Sequence, residues 1–127
     1  MLLSPLLMLQ NVEPIPENGE HTDMTYILYG HRRSGSLAVE MALAEIGAQY
    51  EVRDVDLAAV AQRDEGYASI NPQQKIPALI TPSGETLTES IAILLTLNER
   101  HPEAELLPKD TTGRAQALRW LMFIATE

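Results

Sequence analysis

An α/β fold on a mixed four-stranded sheet in the order βαβαββα, followed by the first helix of an incomplete all-α domain, is predicted by three features. From Thr25 the chain alternates short β-branched or aromatic runs with longer apolar segments of helical character. Pro82-Ser83-Gly84 separates two short strand-like runs, as a tight turn between antiparallel neighbours does. The last predicted helix carries Trp120-Leu121-Met122-Phe123-Ile124-Ala125, an unbroken apolar stretch where a surface helix would show apolar positions at intervals of three and four.

Taken in order, Thr25 to Tyr29 is β-branched and aromatic and is stopped by Gly30, which predicts a buried first strand. Ser34 to Ile46 carries Leu37, Ala38, Val39, Met41, Ala42, Leu43 and Ile46 against Glu40 and Glu45, a mostly buried helix, and Gly47 stands where a left-handed C-terminal cap is wanted. Tyr50 to Val55 alternates apolar and charged residues and predicts a second strand. Between Asp56 and Ser69 the pattern weakens to short helical turns, ended by Asn71-Pro72 because a residue before proline avoids the helical region. Ala78 to Thr81 and Glu85 to Thr88 form the hairpin. Ser90 to Arg100, with Ile91, Ile93, Leu94, Leu95 and Leu97, is a third helix opened by a good N-cap residue. A parallel βαβ unit joined to a hairpin and a closing helix is the arrangement of a thioredoxin-like domain. His101 to Pro108 is a connector, and Asp110 or Thr111 caps a last helix whose apolar surround wants partners on most sides. The expected divisions are a disordered tail over 1–23, the α/β domain over 24–102, and a linker with the first helix of a second domain over 103–127. A last helix folded back on its own sheet is the alternative.

Composition excludes several functions. Nine Lys and Arg against eighteen Asp and Glu leave a net charge of −9, a field that repels phosphate backbones and anionic membranes, so neither nucleic acid nor a membrane is an expected partner. The absence of cysteine removes disulfides, thiolate metal sites, Cys-x-x-Cys redox chemistry and a cysteine nucleophile together. Any sulfur chemistry must use sulfur that the substrate brings. No apolar stretch reaches the roughly 18 residues of a membrane-spanning helix, and the apolar Met1–Leu9 lacks the basic start and small-residue cleavage site of a signal peptide, so a cytoplasmic location is expected. His21, His31 and His101 show no metal-site spacing, and no metal is expected.

Three short segments carry candidate chemistry. In Asn71-Pro72-Gln73-Gln74-Lys75-Ile76-Pro77, a proline directly precedes a strand; a cis bond, found at about 5% of X-Pro bonds, would aim the Ile76 N–H and C=O out of the sheet toward an extended peptide. An ordinary proline opening an edge strand is the alternative. Glu89-Ser90 lies at a helix start, where free N–H groups and the dipole favour a carboxylate while Glu89 can receive an ammonium, the charge pair of an α-amino acid; an N-cap serine beside a solvated acid is the alternative. Gly30-His31-Arg32-Arg33-Ser34-Gly35-Ser36 joins the first strand to the first helix, and a serine hydroxyl there can donate to a thiolate with help from the dipole and the arginines; capping serines and solvated arginines are the alternative. His31 could serve Ser34 as a base, but the sequence positions no acid to orient it.

In that order along a thioredoxin-like pattern, Tyr26-Ile27-Leu28-Tyr29-Gly30, Lys75-Ile76-Pro77-Ala78-Leu79 after Asn71-Pro72, and Leu87-Thr88-Glu89-Ser90-Ile91-Ala92-Ile93 make the chain resemble the N-terminal domain of cytosolic glutathione transferases, beta- and theta-like, from Met24 to about His101. Leu107-Pro108-Lys109-Asp110 looks like that family's linker into its helical domain. The resemblance implies binding of reduced glutathione as a substrate and transfer of its sulfur to a small hydrophobic electrophile. It implies that Ile76 supplies the main-chain pair to the cysteinyl part, with Pro77 cis. Glu89 and Ser90 would hold the γ-glutamyl end. Lys75, with Gln74 assisting, would approach the glycine carboxylate, and Ser34, then Ser36, would stabilise the thiolate. Beta-type enzymes carry a cysteine in this turn, where Gly35 stands here, so a mixed-disulfide mechanism is excluded and a serine-type or backbone-assisted one is implied. Homodimerisation is usual in the family and would bury the apolar last helix. The chain is expected to be an enzyme if the helical domain is supplied, or a non-catalytic glutathione-binding or protein-interaction module. A thioredoxin-like reductase fails on the missing cysteines.

Overall fold

The computed structural model describes residues 24–32, 34–55 and 65–126. The elements are β1 (Tyr26–Gly30), α1 (Ser36–Ile46), β2 (Tyr50–Asp54), α2 (Glu65–Ile70), β3 (Ala78–Ile80), β4 (Thr86–Thr88), α3 (Ser90–Arg100), a 3-10 turn (Pro102–Ala104) and α4 (Thr111–Thr126). The tail expected over 1–23 and most of the weak helical turns expected after Asp56 lie outside the described residues. The sheet order is β2-β1-β3-β4, with β1 and β2 parallel and both β1·β3 and β3·β4 antiparallel. This is the mixed sheet of a thioredoxin-like domain, reached because the βαβ crossover forces β2 parallel to β1 while the Pro82-Ser83-Gly84 turn folds β4 back on β3.

The sheet is covered on both faces. Tyr26 and Leu28 of β1 and Leu79 of β3 pack under Val39, Ala42 and Leu43 of α1 and Ile93 and Leu97 of α3. On the opposite face Ala78 meets Val55 and Tyr67, with Tyr29, Ile70 and Ile76 against them. The two-residue period of β1 and β3 thus feeds two separate cores. Leu43 is wholly buried in the larger one, and Leu43→Ala is expected to lower unfolding free energy by about 2–5 kcal/mol, read from the urea midpoint.

One expectation of burial is corrected. The first helix is not mostly buried: it starts at Ser36, only Ser36, Val39, Ala42 and Leu43 are enclosed, and Leu37 and Met41 stand 57% and 64% exposed, because one helix stripe suffices to cover β1. The second strand forms as expected, over Tyr50–Asp54, and lies at the sheet edge with Val52 exposed. Gly47 caps α1 in the left-handed conformation, its N–H donating to the Ala44 carbonyl at 3.0 Å.

Asp110 caps α4 as expected, accepting from the Gly113 N–H at 2.7 Å. The helix lies against α3, and Trp120, Met122, Phe123 and Ile124 are half exposed or more. The start of α3 departs from expectation: Ser90 is its first residue, not its cap, and Glu89 at the cap position makes no side-chain capping bond.

At the other end of α3, Arg100 donates to both carboxylate oxygens of Glu85, at 2.5 and 3.1 Å, and holds that carboxyl below its ordinary value. A depressed pKa in the folded state means stability present above the ordinary carboxylate range and lost as pH falls below it. The pair is partly solvated, so Glu85→Gln is expected to cost under about 1 kcal/mol near neutral pH and nothing in strong acid, measured by urea titrations across that range.

Candidate functional site

The first turn is built around two serines. A Cβ at Gly30 would lie 2.4 Å from Ser36 Oγ and 2.5 Å from Ser36 Cβ, so glycine ends β1 because the α1 start occupies its side-chain space. The His31 N–H donates to Ser36 Oγ at 3.2 Å, and the His31 carbonyl accepts from Ser34 Oγ at 2.6 Å and lies 3.2 Å from Ser36 Oγ. The two hydroxyls are 2.7 Å apart, and the Ser36 N–H donates to Ser34 Oγ at 3.2 Å. Each hydroxyl has one proton. With Ser34 donating to His31, Ser36 donates to Ser34; if Ser34 turns its proton outward, Ser36 can take over the carbonyl. Ser36 is buried and Ser34 half-buried, so Ser34 is the one with access to a ligand.

The loop before β3 is fixed from within. Asn71 is 3% exposed: its Oδ1 accepts from the Gln73 N–H, its carbonyl from the Gln74 N–H, and its Nδ2 donates to the Lys75 carbonyl. The Tyr67 phenol donates to that same carbonyl, and burial raises its pKa, which keeps the donor protonated. Gln74 takes a positive φ of 53° inside this turn. The Ile76–Pro77 peptide is cis and Pro77 is buried, while pairing to β1 and β4 begins only at Ala78. The Lys75 side chain points to solvent.

Glu89 has φ 68° and ψ 114°, a backbone conformation that side-chain-bearing residues rarely adopt and that collects at ligand-binding positions. It is exposed, Ser90 is half-buried, and the Ser90 hydroxyl makes no hydrogen bond among the described residues.

Gly35 joins the three segments. It sits at the N-cap of α1 with φ −62°, and a Cβ built there would be 3.8 Å from Pro77 Cδ and 3.8 Å from both Ser90 Cβ and Ser90 Oγ. The helix start, the cis-proline loop and the start of α3 therefore meet in one corner, where a Cβ on Gly35 would just touch Pro77 and Ser90.

Sequence reasoning missed Tyr67 and Asn71 as supports of the loop; an asparagine directly ahead of a proline was the available signal. It also found no acid for His31. The register pairs Gly30 with Asp54, and His31 Nδ1 stands 2.9 Å from Asp54 Oδ1. No hydrolase triad results, because the serine hydroxyls bond the His31 main chain rather than its ring. Arg33 lies outside the described residues.

Fold and corner together define a thioredoxin-like domain with a cis-proline loop facing two helix starts. Residues 24–99 match the family described as glutathione S-transferase, N-terminal domain, and the chain belongs to that family. It is 38% identical over 101 residues to a probable maleylacetoacetate isomerase of Caenorhabditis elegans, covering 79% of this chain and 46% of that protein. It is 35% identical to the glutathione S-transferase GstA of Escherichia coli, covering 72% and 47%. A crystal structure of a glutathione transferase homologue from Sulfitobacter with bound glutathione superposes at a TM-score of 0.75 and 32% identity, over 80% of this chain and 49% of that one. The chain spans about half the length of the curated relatives it matches.

Proposed function

We propose that this chain binds reduced glutathione in the Gly35–Pro77–Ser90 corner and, within a complete glutathione transferase, presents the sulfur to a small hydrophobic electrophile. The observation that carries this reading is the approach of Pro77 and Ser90 to Gly35, 3.8 Å from a Cβ built there, at the N-terminus of an eleven-residue helix with no acid in its first turn. A thiolate there gains from the positive end of the helix dipole. The bound glutathione of the Sulfitobacter homologue and the S-hexylglutathione complex of Ure2p, 29% identical at a TM-score of 0.69, support it.

In this reading the Ile76 main chain pairs with the cysteinyl part, Glu89 takes the γ-glutamyl ammonium and Ser90 its carboxylate. Lys75 approaches the glycine carboxylate. Ser34 turns its proton from the His31 carbonyl to the sulfur while Ser36 replaces it on that carbonyl. Attack of the thiolate on an electrophilic carbon forms the C–S bond and displaces the leaving group with its electron pair.

Immobilised glutathione is expected to retain the chain and free glutathione to elute it; passage through the column would reject the reading. In the complete enzyme Ser34→Ala is expected to lower turnover of a chlorinated nitrobenzene by roughly 10- to 1,000-fold, as loss of one preorganised donor does, with weaker thiolate absorbance of bound glutathione in the ultraviolet. An unchanged rate would move the role to Ser36.

A further inference from the structure

The edges of the sheet are β2 and β4. β4 is short and uncharged, whereas β2 runs Tyr50-Glu51-Val52-Arg53-Asp54 with every residue after Tyr50 exposed. Among the described residues no strand pairs with its outer side. The ladder between β1 and β2 is bounded by the Tyr26 N–H, which donates to the Gln49 carbonyl at 2.9 Å, and by the Val55 N–H, which donates to the Gly30 carbonyl at 2.8 Å. Main-chain groups alternate sides along a strand, so Gln49, Glu51, Arg53 and Val55 turn theirs toward β1, while Tyr50, Val52 and Asp54 turn theirs outward. Such an edge is a template for another strand.

Charged side chains ordinarily protect an edge. Here they are set symmetrically about Val52. Val52 is in register with Leu28, under α1, so Glu51 and Arg53 lie on the opposite face, the face of Tyr29. There Arg53 Nε donates to Glu51 Oε1 at 2.9 Å, and the guanidinium donates to the Tyr29 hydroxyl at 3.1 Å. Both charged groups are about half exposed, so this pair within one chain contributes little. A two-fold axis through Val52, normal to the sheet, lays a second β2 antiparallel on the first. Val52 then opposes Val52 and exchanges both main-chain hydrogen bonds with it, and Tyr50 of each copy does the same with Asp54 of the other. Glu51 of each copy meets Arg53 of the other at the closer, non-hydrogen-bonded positions. A slip by two residues in either direction would set Glu51 against Glu51 or Arg53 against Arg53, so the charges select this register. Val52, 44% exposed and lining the same hollow as Leu37, gains an apolar neighbour on the α1 face.

We propose that the outer edge of β2 is a self-association surface: a second copy of this chain adds its β2 antiparallel about Val52, making one sheet through both copies, with two Glu51–Arg53 pairs fixing the register. The surface is separate from the apolar face of α4 and from the glutathione corner, and it does not rest on the glutathione reading. The net charge of −9 on each copy opposes association over a longer range than these contacts act, so the test is made where salt shortens that range, at about 0.15 M with a Debye length of about 8 Å.

Sedimentation velocity of the chain over a range of protein concentrations is expected to show a monomer–dimer equilibrium. Glu51→Arg leaves two cations on the edge and Arg53→Glu two anions, so each variant alone meets like charges at both positions and is expected to dimerise at least about 10-fold more weakly. An equal mixture of the two variants restores opposite charges throughout and is expected to dimerise like the parent, as is the double variant Glu51→Arg/Arg53→Glu. Recovery in the mixture also shows that both single variants are folded. Phe123→Ser, on α4, is expected to leave this pattern in place. A parent that stays monomeric up to about 0.5 mM, single variants that dimerise as strongly as the parent, a mixture and a double variant that both stay monomeric, or association abolished by Phe123→Ser would each overturn the proposal.

Discussion

Gly30→Ala is expected to damage both the fold and the site. The added methyl would meet Ser36 Cβ at 2.5 Å, an atom that cannot swing aside because Ser36 is the buried first residue of α1. Either the end of β1 or the start of α1 must move. The stability loss is expected to be about 1–3 kcal/mol, the ordinary cost of overpacking. The binding loss should be larger in proportion: the displaced segment carries the Ser34–Ser36 pair and, between the two, the N-cap Gly35 at the corner. Urea denaturation and retention on immobilised glutathione measure the two effects separately, and a variant as stable and as well retained as the parent would show that the turn adapts.

Gly35→Leu is expected to separate the two properties. Gly35 has a φ that any residue adopts, and its Cβ position is in ordinary van der Waals contact, so the fold should lose only the fraction of a kcal/mol by which glycine exceeds an apolar residue at an N-cap. The branched side chain would fill the corner between Pro77 and Ser90, and glutathione affinity should fall by about 100-fold or more, comparable to losing two or three good contacts. A variant that unfolds would mean that the space is structural; one that folds and binds normally would mean that the ligand sits elsewhere.

The order of elements was legible because β1, α1, β3 and α3 each have a face enclosed by the fold, and enclosure imposes a period. Gly47 and Asp110 were legible as caps because their roles depend only on neighbours in sequence. What depends on partners brought from afar was not. The charge alternation of β2 says nothing about whether β2 is a central or an edge strand, and only the topology leaves Val52 exposed. The Asp54–His31 contact exists because the parallel register sets Gly30 opposite Asp54, a pairing fixed by the crossover through α1. The proline's position before a strand left both a cis and an ordinary Pro77 open, and only the family resemblance implied the cis bond, whereas the left-handed backbone of Glu89 has no local sequence cause, since neither glycine nor asparagine marks it. The meeting of Gly35, Pro77 and Ser90 followed from a family resemblance spread over three segments. The spacing of those segments alone could not have shown a 3.8 Å approach.

The central claim is that one tripeptide sits across that corner. Calorimetric titration of reduced glutathione into the chain and into Gly35→Leu tests it most directly. Saturable one-to-one binding to the parent, lost in the variant while its urea midpoint stays nearly unchanged, is the predicted result; no heat of binding to the parent, or the same affinity for both proteins, would contradict the account.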